Sequence, residues 1–119
     1  MRIKRVAAVV AAVSALTAAT PAFAGEIYAS TDGASAWTSP KNGADVKRYA
    51  NIEDTKADGH PVKAQYSYPF FSESVTTLWE KRGVGNSTRS AYHENQIWRI
   101  KACEYINNWP DECSGWSSS

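Results

Sequence analysis

Two stretches of the chain alternate apolar and polar positions in the manner of half-buried strands. In VKAQYSY, Val62, Ala64, Tyr66 and Tyr68 alternate with Lys63, Gln65 and Ser67. In VKRYANIED, Val46, Ala50 and Ile52 share one face and Lys47, Asn51 and Glu53 the other, with Arg48 and Tyr49 blurring the pattern. A period of two places every second side chain on one face of a strand. Between the two runs lies DTKADGHP, where Asp58-Gly59 is a turn signal and Pro61 disfavours helix. Together they predict an antiparallel hairpin with one buried face.

Further along, SVTTLWEKR is rich in β-branched residues and ends at Gly83-Val84-Gly85-Asn86, and a short strand is expected from Thr88 to Tyr92. QIWRIKACEYI places Trp98, Ile100, Ala102 and Ile106 on one face, with Cys103 pointing the other way or lying in a bulge. Ile97, Ile100 and Glu104 also fit helical spacing, but the β-branched and aromatic content favours a strand. Short strands separated by turn signals point to an all-β fold, a small antiparallel sandwich or open barrel. That domain is expected over residues 45–119. Residues 25–44, rich in Gly, Ser, Ala and Thr, keep neither period and read as a flexible N-terminal arm. Ile27, Tyr28 and Trp37 are its three apolar residues. Either the arm folds back as an edge strand, or these residues are anchors for a partner.

The first 24 residues change the picture of where the chain works. Arg2, Lys4 and Arg5 precede a run of small apolar residues from Val6 to Ala19, and Ala22-Phe23-Ala24 fits a cleavage site. This is the pattern of a secretory signal peptide, and the run is too short to span a bilayer. Cleavage removes three of the 13 basic residues, leaving ten against 12 acidic ones and a formal charge of −2. Such a balance gives no general attraction to phosphate backbones or anionic lipid, so neither nucleic acid nor membrane is expected as a partner. A chain of this size buries a small core, and outside the cell its two cysteines, Cys103 and Cys113, are expected to pair as a staple. On the chain-entropy view, closing so short a loop contributes about 2.5–3 kcal/mol.

Candidate chemistry is sparse. EDTKADG sets Asp54 and Asp58-Gly59 at the spacing of a calcium loop, but Lys56 and Gln65 stand where carboxylates are required, so a hairpin turn is the better reading. AYHE, with His93 and Glu94, resembles the segment carrying the base in small microbial guanyl-specific ribonucleases, yet no histidine follows His93. No G-x-S-x-G is present, and two cysteines ten positions apart match no zinc pattern. No enzyme activity, metal or cofactor is therefore expected. The aromatic residues remain. Trp79 and Trp98 are assigned to the core, and Trp109 and Trp116 to a cover over the staple, with a contact role open for Trp109.

DTKADGHPV, SVTTLWEKRGVGN and IWRIKACEYINNWPDECSGW together resemble a class of small secreted proteins of Streptomyces and related actinobacteria. Size, secretion, an N-terminal arm and a lone cysteine pair are also similar to the connector subunit of secreted antibacterial umbrella toxin particles. That resemblance implies an adaptor whose arm enters a cleft in a partner, with Ile27, Tyr28 and Trp37 as anchors. The expectation from the sequence is a secreted, non-enzymatic protein–protein interaction module, an adaptor of an extracellular antibacterial complex. Its alternatives are a secreted enzyme inhibitor using Asn107 to Glu112, a cell-wall glycan-binding protein using Trp109, or, further back, a small hydrolase or ribonuclease.

Overall fold

The period-two alternation reappears as burial. Along Val62–Ser67, Val62, Ala64 and Tyr66 are buried while Lys63 and Gln65 are half-buried. The computed structural model describes residues 25–69 and 74–118. The signal-peptide expectation, on residues 1–24, lies outside the described residues. Among the described residues nine strands follow one another: β1 (Tyr28–Thr31), β2 (Ala34–Ser39), β3 (Tyr49–Asp54), β4 (Val62–Ser67), β5 (Thr76–Glu80), β6 (Ser87–Arg89), β7 (Arg99–Glu104), β8 (Glu112–Cys113) and β9 (Ser117–Ser118). They form two antiparallel sheets packed as a sandwich. One has the order β1-β2-β3-β6, the other β5-β4-β7-β8, with β9 also paired to β7.

The core is built from small and β-branched residues. Ile27, Ala29, Ala34, Ala36, Ala50 and Ile52 face Val62, Ala64, Tyr66, Ile97, Ile100 and Ala102 across the sandwich. Alanine removes little apolar surface from water, so most of the burial energy rests on the isoleucines, Val62 and Tyr66. Neither Trp79 nor Trp98 belongs to this cluster, contrary to the expectation. Trp79 pairs with Lys63 in the register of β4 and β5 and so shares the outer face with it. Trp98 is half-buried, and its indole N–H is shielded from solvent without a partner among the described residues.

The expected hairpin between residues 46–54 and 62–68 is not formed. β3 pairs with β2 over six residues, from Ala34↔Asp54 to Ser39↔Tyr49, and with β6 on its other side. β4 lies in the opposite sheet between β5 and β7. Residues 55–61 thus cross from one sheet to the other. What competes with the local pairing is the segment read as an arm, because ASAWTS offers β3 a complete antiparallel partner. Residues 25–44 are therefore not a flexible arm. β1 and β2 form a hairpin around Asp32-Gly33, the dipeptide that suits a tight two-residue turn, and the folding-back alternative is the one observed. Gly33 has φ +95°, and a Cβ there would come within 3.0 Å of the Glu104 carboxyl group. Residues on either side of position 45 share one core.

β7 is a strand, as the β-branched content indicated, and Cys103 is bonded to Cys113. The two cysteines are directly opposed in the β7–β8 ladder.

Candidate functional site at one end of the sandwich

Four connections gather at the end of the sandwich where β7 finishes. Thr55 N–H donates to the Gly33 carbonyl (3.0 Å), Asp54 N–H to Asn86 (3.1 Å) and Tyr105 N–H to Pro61 (2.9 Å). These bonds knit the β1–β2 turn, the 55–61 crossing, the β5–β6 connection and the 105–111 loop into one surface. Loops held by a rigid sandwich are where such folds bind.

The 105–111 loop is the most constrained of them. Cys103–Cys113 and the short β7–β8 ladder close its base. Lys63 Nζ reaches Asp111 Oδ2 at 2.5 Å, and Trp109 N–H donates to the Ile106 carbonyl at 3.0 Å. Asn108 adopts φ 67°, a left-handed conformation that asparagine tolerates. At the tip, Trp109 is 72% exposed, so it does not cover the staple as expected. A shallow surface lined by Ile106, Trp109, Pro110, Asp111 and Glu112 surrounds it.

The other sequence-selected residues are elsewhere. Ile27 is 5% exposed and packed in the core, which removes it as a contact. Tyr28 and Trp37 are opposed in the β1–β2 ladder and line a shallow depression with Ser35 and Glu53 on the outer face of the first sheet. Trp116 is engaged by its own chain, with the Arg99 guanidinium 3.9 Å and Lys101 Nζ 4.8 Å from the ring centre. Lys63 and Lys81 similarly lie 5.1 and 5.0 Å from the Trp79 ring, whose edge meets Tyr105. Such contacts stabilise an exposed ring modestly and hold it in place.

Two buried glutamates flank the same valine at the loop end. Val62 is opposed to Glu80 on one side and Glu104 on the other, so both carboxylates point to the inner face. Glu80 is fully matched: it accepts from Arg82 N–H (2.7 Å), Arg82 Nη2 (2.7 Å) and Thr88 Oγ1 (2.7 Å). Those donors, Arg82 above all, hold its carboxyl at about 2.

Glu104, only 2% exposed, meets Asp58 and His60, which the crossing brings over it. His60 Nδ1 lies 3.3 Å from Glu104 Oε2 and 3.5 Å from Asp58 Oδ2. Burial, reinforced by Asp58, pushes Glu104 up to about 7. Its proton is shared toward Asp58, which is held below its ordinary value by that hydrogen bond. Asp32 and Glu112 also approach Glu104, with one oxygen of each within 4.8 Å of the others. Beside His60 opens a cleft of about 310 Å³, lined also by Asp54, Lys56, Lys81 and Arg82. In the sequence Asp58 and His60 belong to an expected turn, and nothing local links them to Glu104, 44 residues from His60.

At the opposite end, His93 lies between the hydroxyls of Tyr66 (3.0 Å to Nε2) and Tyr68 (at Nδ1). Burial lowers His93, raises Tyr66 and pushes Tyr68 up to about 12, each shift favouring the neutral form. With both ring nitrogens engaged, His93 is poorly placed for acid or base work on a substrate.

No protein-family model, curated protein or solved structure matches the chain.

Proposed function

We propose that the protein is a secreted, non-enzymatic binding module that engages another protein through the stapled 105–112 loop, with Trp109 as its anchor. The observation that carries this reading is a tryptophan 72% exposed at the tip of a loop constrained by a disulfide, a strand ladder and an ion pair. Large aromatic side chains dominate the energetics of protein interfaces, and a preorganised loop loses little conformational entropy on binding. Trp79 and Trp116 support the contrast, since their own chain already stacks cations on both. Within this class, the adaptor role in an extracellular antibacterial complex is retained, with the contact moved from residues 25–44 to the loop.

The test is capture from the producing organism's culture supernatant with tagged protein, its Trp109→Ala variant and its Trp116→Ala variant. A defined extracellular protein retained by the first and third and lost by the second supports the proposal. Equal capture by all three, or none by any, refutes it. Deleting residues 25–44, the obvious test of an arm, would remove β1 and β2 and their share of the core.

A second reading draws on the same rigid loop: an enzyme inhibitor that presents Asn107 to Glu112 to a protease or glycosidase. Inhibition of a secreted hydrolase, lost in Trp109→Ala, would select that reading over the adaptor.

A further inference from the structure

Glu104 poses a problem that the fold leaves unsolved. A buried carboxylate is ordinarily matched by a cation or by backbone N–H donors, since an unpaired buried charge is costly. Among the described residues no lysine, arginine or backbone N–H bonds to the Glu104 carboxyl group. Its partners are a second acid, Asp58, and the ring of His60. The nearest lysine of the crossing, Lys56, is committed to Asp32 at 2.6 Å.

The spacing of the three groups is informative. Charge-assisted hydrogen bonds from a ring N–H to a carboxylate close to about 2.7–2.9 Å, whereas His60 Nδ1 stands 3.3 and 3.5 Å from its two neighbours. A tetrahedral metal with ligand bonds of 2.0–2.1 Å separates its donor atoms by about 3.3–3.4 Å. The two distances from His60 thus match the edge of such a tetrahedron, and one oxygen each of Asp58 and Glu104 lies within 4.8 Å of the other. His60 and Asp58 come from a turn and Glu104 from the end of β7, so the cation would tie the crossing to the strand beneath it.

We infer that Asp58, His60 and Glu104 form a binding site for a divalent transition metal of the zinc class. One imidazole and two carboxylates suit zinc; calcium prefers six to eight oxygen ligands and takes imidazole poorly. Three protein ligands leave a fourth position, open to water from the cleft or to a donor from a bound partner. The cation neutralises the buried Glu104 and rigidifies the end of the sandwich that carries the stapled loop.

The chain's described histidines, His60 and His93, make the test possible without a variant. Imidazole resonances of isotope-labelled protein are followed by NMR during titration with zinc, then with calcium. The expected result is a saturable shift of the His60 ring at one equivalent of zinc, no change at His93, and no comparable response to calcium. Calorimetry then compares the protein with His60→Ala and Glu104→Gln, each checked for folding, and affinity is expected to fall about tenfold or more in both. No saturable zinc binding, a response confined to His93, or unchanged affinity in folded His60→Ala would overturn the site.

Discussion

Glu80 and Glu104 sit in the same row of one sheet, on either side of Val62, buried to the same degree and facing the same core. On the Glu80 side a single residue, Arg82, contributes a backbone N–H and a guanidinium, and Thr88 supplies the remaining donor. At Glu104 the chain places an acid and a histidine, and its cations are spent elsewhere. One carboxylate is held near 2 and the other near 7. The sandwich is finished by its own residues at Glu80 and left open at Glu104. The open side is also the side from which β7 runs into the stapled loop bearing Trp109.

By that contrast Arg82→Ala is the substitution expected to cost most, because it strips the buried Glu80 of its guanidinium donor. The largest loss of stability among these variants is expected, read as a lowered midpoint in urea denaturation. Glu104→Gln should behave in the opposite sense. In chelator-treated protein at neutral pH it removes a charge that the fold does not match, so stability should be unchanged or raised by about 1 kcal/mol. Equal losses in the two variants would break the comparison.

The pH profile sharpens the same point. Glu80 is depressed in the folded state, so its contribution is present above the ordinary carboxylate range and is lost as pH falls from about 4.5 toward 2. Glu104 is raised, so its contribution is full below about 4.5 and is lost as pH climbs through about 7. Stability of the metal-free protein should therefore decline on both sides of mildly acidic pH. Glu80→Gln should flatten the acid arm and Glu104→Gln the neutral arm, read from denaturation midpoints across that range. The smallest effect on stability belongs to Trp109→Ala, expected within about 0.5 kcal/mol because the ring is exposed and makes few contacts.

The parts of this molecule that were legible in the sequence are those governed by local alternation. VKAQYSY reads as a strand with the correct buried face, β5 and β7 lie within their expected segments and β6 overlaps its own only at Thr88 and Arg89, because period-two patterning and β-branched content act residue by residue. Pairing was less legible. Asp58-Gly59 looked like a hairpin turn, yet the strands on either side found better partners in other segments, and partner choice is decided by the whole core. The Asp32-Gly33 turn carried the same local signal and was hidden by a small-residue composition that lacked strong periodicity. Trp79 and Trp98 misled because size suggested core, whereas neither joins the core cluster and Trp79 lies on an outer face; Trp109, expected as a cover over the staple, stands at a loop tip. The Asp58–His60–Glu104 cluster had no local signature, since the crossing and β7 meet only in three dimensions.

Contact through the stapled loop is read most directly with a photo-reactive amino acid at its tip. Benzoylphenylalanine is placed at position 109 and, as a control, at exposed Thr77 on the outer face of β5, in protein secreted by the producing organism. After illumination, a discrete adduct with one extracellular protein from position 109 and none from position 77 is the predicted result. Absence of an adduct at 109, or the same adducts from both positions, would contradict the claim.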